Sequence, residues 1–245
     1  MNYPQQIYKF FMDTVFPIRC IGCGRLSSEH KRRYLCASCI SSIKLRIKFE
    51  CIGCKNNTDL GKTCYKCRSS NPTDQLLIVL DYGNPLVVKM VKCFKYRFIQ
   101  EIINPLSAVM RKYIIKLSRE RCFNISGDGP IIIPVPLHQR RLNWRGFNQA
   151  ELIAQSLSNA LQAKTEMNCL RRIRKSRPQA EIEEKAERLK KPRGQFELIN
   201  TESIIGRTVI LVDDVCTTGA TLNECARLLK NIGVKEVIGF VIARG

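Results

Sequence analysis

The amino-acid sequence predicts an α/β protein built on a mainly parallel sheet and preceded by a small cysteine-rich module. Three observations carry that reading. From residue 71 onward, short apolar runs alternate with segments of helical period, the rhythm that parallel strands and their crossovers require. Between Cys20 and Cys67, eight of the thirteen cysteines form four Cys-x2-Cys pairs, in a stretch too poor in apolar residues to build its own core. One apolar run, Thr208 to Val212, leads into two aspartates and a Thr-Thr-Gly turn before the next helical segment. The chain therefore divides into residues 1–70, the N-terminal module, and residues 71–245, the α/β domain.

Near the start, Ile7, Phe10, Phe11 and Val15 recur at helical spacing, predicting a short amphipathic helix over residues 2–15 that Pro17 ends. Beyond the cysteines, Leu76–Leu80 is strand-like. Pro85–Tyr96 and Ile99–Leu117 have the helical period, with Pro105 placed to interrupt the second. The Ile131-Ile132-Ile133 run inside Pro130–Pro136 suits a strand buried on both faces, and a loop and the helical Asn148–Ala163 follow it. Thr208–Val212 is the next strand, Gly219–Asn231 a helix and Val234–Ile242 a closing strand. Arg171–Arg193 carries ten basic against four acidic residues and reads as a loop or short helix, either solvated or folded over an anionic site.

A hydrophobic content of 44% is enough for a core of ordinary size. Lysine and arginine number 41 against 21 acids, giving a formal charge of +20, which favours a polyanionic partner such as nucleic acid or serves solubility alone. No N-terminal stretch joins a basic start to a long apolar run and a small-residue cleavage site, so the expected location is cytoplasmic. No segment reaches the roughly 18 apolar residues of a membrane span.

The cysteines fall into two sets. Cys20-x2-Cys23 is followed by Cys36-x2-Cys39, and Cys51-x2-Cys54 by Cys64-x2-Cys67. Two intervening residues let both sulfurs of a knuckle reach one ion at about 2.3 Å, and each set of four can form a tetrahedral thiolate site. Two zinc ions are expected, structural rather than catalytic, because four thiolates leave no position open for water. Sequential pairing is favoured over an interleaved cross-brace, since a short loop closes each set; Gly24 and Gly53 would ease the turns. Cys93, Cys122, Cys169 and Cys225 lack knuckle partners and read as core or surface residues.

The segment after Val212 is the richest in chemistry. A Thr-Thr-Gly turn that opens a helix at the carboxyl end of a parallel strand aims backbone N–H groups and hydroxyls at one point, suiting a phosphate. Cys216, Thr217, Thr218, Gly219, Ala220 and Thr221 are the candidate contacts. Asp213 and Asp214 would be repelled by phosphate, so ribose hydroxyls or a bound Mg2+ are their natural partners, and they are the candidate catalytic residues.

This stretch resembles the phosphoribosyl pyrophosphate loop of type I phosphoribosyltransferases. The whole chain resembles the ComF family, competence-associated proteins in which a double zinc ribbon precedes a phosphoribosyltransferase domain. Besides the cysteines and the loop, the likeness rests on Phe16-Pro17, Lys95-Tyr96, Pro134-Val135-Pro136-Leu137, Arg145-Gly146-Phe147-Asn148-Gln149 and the block from Gln179 through Arg188 to Phe196. The chain departs from the family's pattern where Lys190, Lys191, Pro192 and Arg193 stand in place of an Asn between Arg188 and the Phe. The resemblance implies a sheet of the type I phosphoribosyltransferase kind, phosphoribosyl pyrophosphate bound with Mg2+, and a role in DNA uptake and natural transformation. It also implies that the loop of Val135, Pro136 and Leu137, with Arg140, Arg141 and Arg145, lies on the pyrophosphate side, where guanidinium forks suit phosphate oxygens. His138 reads as incidental, and Gly146 and Asn148 as turn and cap residues.

Three functions are compatible with these residues: a transferase of nucleotide metabolism, a binder of single-stranded DNA or a nucleotide in DNA uptake, and a non-catalytic adaptor for the uptake machinery. The expectation combines the first two, with phosphoribosyl pyrophosphate and single-stranded DNA as ligands. Arg171, Arg172 and Arg174 are the candidate DNA contacts. Tyr65, Tyr96, Phe98 and Trp144 lie near basic residues and read as packing rather than base-stacking groups.

Overall fold

The apolar runs become strands of one sheet in the computed structural model, which describes residues 17–26, 34–97, 99–119, 129–173 and 194–245. The helix expected over residues 2–15, together with Phe98, Cys122 and the basic block from Arg174 to Arg193, lies outside the described residues. The sheet contains β1 (Gln75–Asp81), β2 (Ile131–Pro134), β3 (Lys164–Thr165), β6 (Thr208–Cys216) and β7 (Glu236–Arg244), in the order β1-β7-β6-β2-β3 and parallel throughout.

Both faces are buried, as the apolar runs require, and alternate residues divide between them. Leu77, Val79, Ile210, Val212, Phe240 and Ile242 face a core shared with α3 (Pro85–Tyr96), α4 (Ile103–Arg119) and α6 (Gln149–Leu161). Leu76, Ile78, Val209, Leu211, Val237 and Val241 face the opposite core, shared with α7 (Ala220–Asn231). Two antiparallel strands, β4 (Leu170–Arg172) and β5 (Phe196–Leu198), pair beside that second face.

Local chemistry sets the element ends. Asn84 caps α3 by accepting the Leu86 N–H at 2.9 Å, and Pro85 fills the first helical position, where a missing N–H costs nothing. Pro105 falls in the first turn of α4, after a 3-10 turn over Gln100–Ile102, so it opens the helix instead of interrupting it. Several elements depart from the sequence reading. The loop before Asn148 contains a helix, α5 (Gln139–Arg145), and Arg171 and Arg172 belong to a strand, not a loop. β6 runs on to Cys216, which puts both aspartates on the strand itself.

The cysteine module has little regular structure, with α1 (Ala37–Ser42) and α2 (Tyr65–Arg68) as its helices among the described residues. It is attached to β1 by antiparallel bridges Leu45–Leu80 and Lys62–Gln75. Cys20, Leu35 and Ile43 join the core of the first face, whereas Ile52 joins that of the second. Among the described residues, no helix is long and apolar enough to cross a membrane.

Candidate functional site

The strand order fixes where a ligand can sit. The connection from β2 passes over one face through α6, and that from β6 passes over the other through α7, so the chain diverges between the carboxyl ends of these neighbouring strands. Such a switch point leaves an open crevice where ligands of open α/β sheets bind. The loop after β2 and the turn after β6 flank it.

Gly219 stands at the N-cap of α7 with φ +76°, a conformation that glycine adopts without strain, and no side chain caps the helix. The first turn closes with the Asn223 N–H donating to Gly219 O at 2.9 Å. The N–H groups of Ala220, Thr221 and Leu222 thus precede the helical ladder and offer donors, with the positive end of the helix dipole behind them. Thr217 and Thr218 are exposed beside them. Cys216 is buried, its carbonyl accepts the Gly245 N–H at 3.0 Å, and burial pushes its thiol up to about 11. It supports the turn from beneath and presents no group to a ligand.

The two aspartates differ. Asp214 is buried, and Lys95 at the end of α3 reaches it with Nζ 2.8 Å from Oδ1. Burial works against the Lys95 charge, but Asp214, helped by Asp213, outweighs it and holds the ammonium above its ordinary value. Asp213 accepts the Asp214 N–H at 2.8 Å, and burial, followed by the nearby Asp214 charge, pushes its carboxyl up to about 7. An extra cation near these carboxylates would therefore be welcomed.

The Arg145–Gln149 motif acts as one brace. Gly146, at φ +76°, ends α5; Phe147 packs on Phe94 with ring centroids 5.7 Å apart. Asn148 caps α6 through the Ala150 N–H at 3.1 Å and donates to Val135 O at 3.1 Å. Gln149 donates to Phe94 O at 3.0 Å and accepts from Arg145 Nη1 at 3.0 Å. The brace sets Lys95, one residue past Phe94, and the buried guanidinium of Arg145, which lies 5.7 Å from the centre of the Tyr96 ring.

Among the pyrophosphate-side candidates, Val135 is buried and its N–H donates to Val212 O at 2.8 Å, so it anchors the loop instead of offering a donor. Pro136 and Leu137 are half-buried at the crevice edge, and Arg140 and Arg141 are exposed on α5. His138 accepts the Arg140 N–H at 3.2 Å and so caps α5. Burial lowers the guanidinium pKa values of Arg145 and Arg172, and both groups also feel Arg141 and Asp213, which places all four in one electrostatic neighbourhood. Arg172 stacks over Phe196 at 5.1 Å and donates to Gln195 Oε1 at 2.8 Å, whereas Arg171 pairs with Glu197 on the facing strand. Tyr65, Tyr96 and Trp144 are 92%, 58% and 59% exposed, so none is a core residue, although Tyr96 lies against the Arg145 guanidinium.

Each cysteine set brings its four sulfurs within 4.8 Å of one another, paired in chain order. The separations Cys20–Cys36, Cys23–Cys36 and Cys54–Cys64 are 3.7, 3.8 and 3.8 Å. A tetrahedron with bonds of about 2.3 Å has edges of about 3.8 Å, so each set fits one zinc ion. The Cys39 backbone N–H leads the groups that bring Cys36 down to about 6. In the second set burial pushes Cys51 up, but the N–H groups of Cys54, Cys64 and Gly53 together bring it down to about 6. Both first knuckles read Cys-Ile-Gly-Cys. A Cβ on Gly22 would stand 2.7 Å from Cys39 Sγ, and one on Gly53 2.8 Å from Cys67 Sγ. Gly53 is thus required by close approach, whereas Gly24 at φ +74° is the residue that eases a turn.

A parallel sheet with an acid pair and an uncapped helix at its switch point defines a domain of the phosphoribosyltransferase kind, and residues 146–245 match the phosphoribosyl transferase domain family. The likeness to known proteins extends beyond that domain. The chain is 31% identical over 237 residues to Competence protein F of Haemophilus influenzae, covering 95% of this chain and 100% of the relative. It is 31% identical over 182 residues to DNA utilization protein YhgH of Escherichia coli K12, covering 74% and 77%. It is 29% identical over 218 residues to Competence protein ComFC of Bacillus subtilis, covering 86% and 84%. The chain belongs to the ComF family.

Lys95 was legible only as part of a family motif, because nothing local tells that the end of α3 meets β6. Arg244 and Ile52 went unread, although an arginine closing a nine-residue apolar strand is a signal of a buried partner.

The raised Asp213 carboxyl has a consequence for stability. Folded, it titrates at about 7 against an ordinary 3.8, so the folded chain binds more protons than the unfolded one between these values. Its contribution is therefore lost as pH rises through that window. The unfolding free energy of the wild type minus that of Asp213→Asn is expected to fall from about pH 4 to about pH 7 and then level off, as measured by denaturant titration. A flat difference would contradict the desolvated setting of Asp213.

Proposed function

We propose that this chain binds phosphoribosyl pyrophosphate with Mg2+ in the crevice between β2 and β6, holds two structural zinc ions, and acts on DNA uptake in the cytoplasm. The observation that carries the reading is the acid pair on a buried strand immediately before a helix whose first N–H groups have no side-chain cap. In this reading the ribose 5-phosphate takes the N–H groups of Ala220 to Leu222 and the threonine hydroxyls. The ribose hydroxyls donate to Asp213 and Asp214, in place of water.

Arg140, Arg141 and Arg145 face the diphosphate. Arg145 is suited to it because its buried Nε–H has no acceptor among the described residues. Bound Mg2+ would offset the negative charge that the diphosphate and the two aspartates bring together in the crevice. The carboxylates would also stabilise positive charge developing at ribose C1, should the C1–O bond break and the ribose pass to a nucleophile. Reduced thiolate clusters suit a cytoplasmic setting.

Single-stranded DNA is the second ligand proposed. The relatives named for competence and DNA utilization support a role with DNA. The formal charge of +20 and the exposed arginines on α5 and β4 support contacts to a phosphate backbone.

Calorimetry with Mg2+ and phosphoribosyl pyrophosphate tests the first ligand. Asp213→Asn with Asp214→Asn is expected to abolish binding while two zinc ions per chain remain by metal analysis; the asparagine at 214 still offers Lys95 an acceptor. Undiminished binding by the double variant, or zinc below two in the reduced wild type, would contradict the reading. For DNA, affinity should fall by at least about tenfold between low and moderate salt and weaken when Arg171, Arg172 and Arg174 become Ala. An affinity indifferent to salt would remove the backbone contacts from the account.

A further inference from the structure

The cysteine module and the phosphate turn lie more than 150 residues apart in sequence, yet the fold brings them into contact. Ile52, inside the Cys51–Cys54 knuckle, has no exposed surface and lies directly on Gly219; a Cβ built there would stand 2.6 Å from Ile52 Cγ1. The knuckle is held in that place through its backbone. Arg244, the last residue of β7, with a side chain only 2% exposed, donates from Nη1 to Cys51 O at 3.0 Å and from Nη2 to Ile52 O at 2.6 Å. Glu50 Oε1 lies 2.8 Å from the same Nη1 and balances the buried charge.

Two further ties reach the turn. Lys55 donates to Gly245 O at 3.2 Å, and the Gly245 N–H donates to Cys216 O, the residue on which the turn begins. Asn223, in the first turn of α7, accepts the Thr73 N–H at 3.3 Å and donates to Asn71 Oδ1 at 2.7 Å, while Asn71 donates to Cys67 O at 2.9 Å. The first cysteine set is placed differently. Ile21, at the position matching Ile52, packs with the core of the opposite face, and Gly22 next to it approaches Leu86 of α3.

We propose that the second cysteine set is a structural part of the phosphoribose site, and that metal at Cys51, Cys54, Cys64 and Cys67 holds the phosphate turn in its binding geometry through Ile52 and Arg244. The proposal rests on the phosphoribose reading of that turn. The knuckle has too few apolar residues to hold its shape alone, so its geometry depends on ligation. A fixed knuckle presses Ile52 against Gly219, limiting the glycine's freedom just where three N–H groups must converge. Preorganised donors bind more tightly than mobile ones, because the ordering cost falls before the ligand arrives. Ile52 and Arg244 are positioning residues and touch no ligand. The first set makes no comparable tie among the described residues and serves the module's attachment.

Matched substitutions test this. Ile52→Ala is expected to weaken phosphoribosyl pyrophosphate binding by about tenfold with two zinc ions still bound, and Ile21→Ala to change it by less than about twofold. Arg244→Lys, which keeps a charge for Glu50 but cannot fork onto two carbonyls, should behave like Ile52→Ala. A second readout needs no ligand: amide hydrogen exchange over residues 217–223 should quicken in Ile52→Ala and Arg244→Lys, and in wild type when metal is chelated, but not in Ile21→Ala. Equal exchange in the Ile52 and Ile21 variants, or no change in either Ile52→Ala or Arg244→Lys, would overturn the coupling. Failure of the wild type to bind phosphoribosyl pyrophosphate would sink the phosphoribose reading instead, while the exchange contrast would still decide whether knuckle and turn are coupled.

Discussion

A buried guanidinium ties the second cysteine knuckle to the end of the sheet. Arg244 carries a charge into a buried setting, where Glu50 and two knuckle carbonyls accept from its two terminal nitrogens. Glu50 in turn pairs with Arg46, whose other nitrogen lies 3.7 Å from Asp81 at the end of β1. Such buried networks return little net stability, since desolvation offsets most of the attraction. What they give is position: the knuckle can dock in only one register, because any slip would leave a buried charge unpaired. Lys95, at the end of the helix α3 that packs on the other face of the sheet, applies the same rule to Asp214.

The site follows from the order of strands. Neighbours β2 and β6 send their chains to opposite faces, and the space that opens between their carboxyl ends receives the Val135 loop, the aspartates and the start of α7. Each side is braced from outside the crevice. Asn148 and Gln149 tie the Val135 loop and α3 together, and Ile52 backs the phosphate turn. The candidate groups thus stand at the ends of regular elements, and the glycine turn packs against the cysteine module.

Much of the fold was legible in sequence because it rests on local periodicity. Pro85–Tyr96 is a helix over the range its pattern predicts, and the isoleucine run at 131–133 is a strand buried on both faces. The four cysteine knuckles were readable from spacing, which favoured the chain-order pairing seen in the fold without excluding an interleaved one. What escaped depends on tertiary neighbours. Pro105 looked like a break but sits where a helix tolerates it, and β6 continues through two aspartates because Lys95 and the sheet ladder absorb their cost. Arg171 and Arg172 read as part of a loop or short helix because their partners, Glu197 and Gln195, stand more than twenty residues away in sequence. No local signal reports that Ile52 covers Gly219.

Amide chemical-shift mapping with ribose 5-phosphate tests the central claim, that the turn after β6 is a phosphate site backed by the second knuckle. The largest shifts are expected at Thr218 to Asn223, with smaller ones at Ile52 and Gly53 and none at Ile21 and Gly22. Shifts confined to the surface arginines, with the turn unmoved, would contradict it.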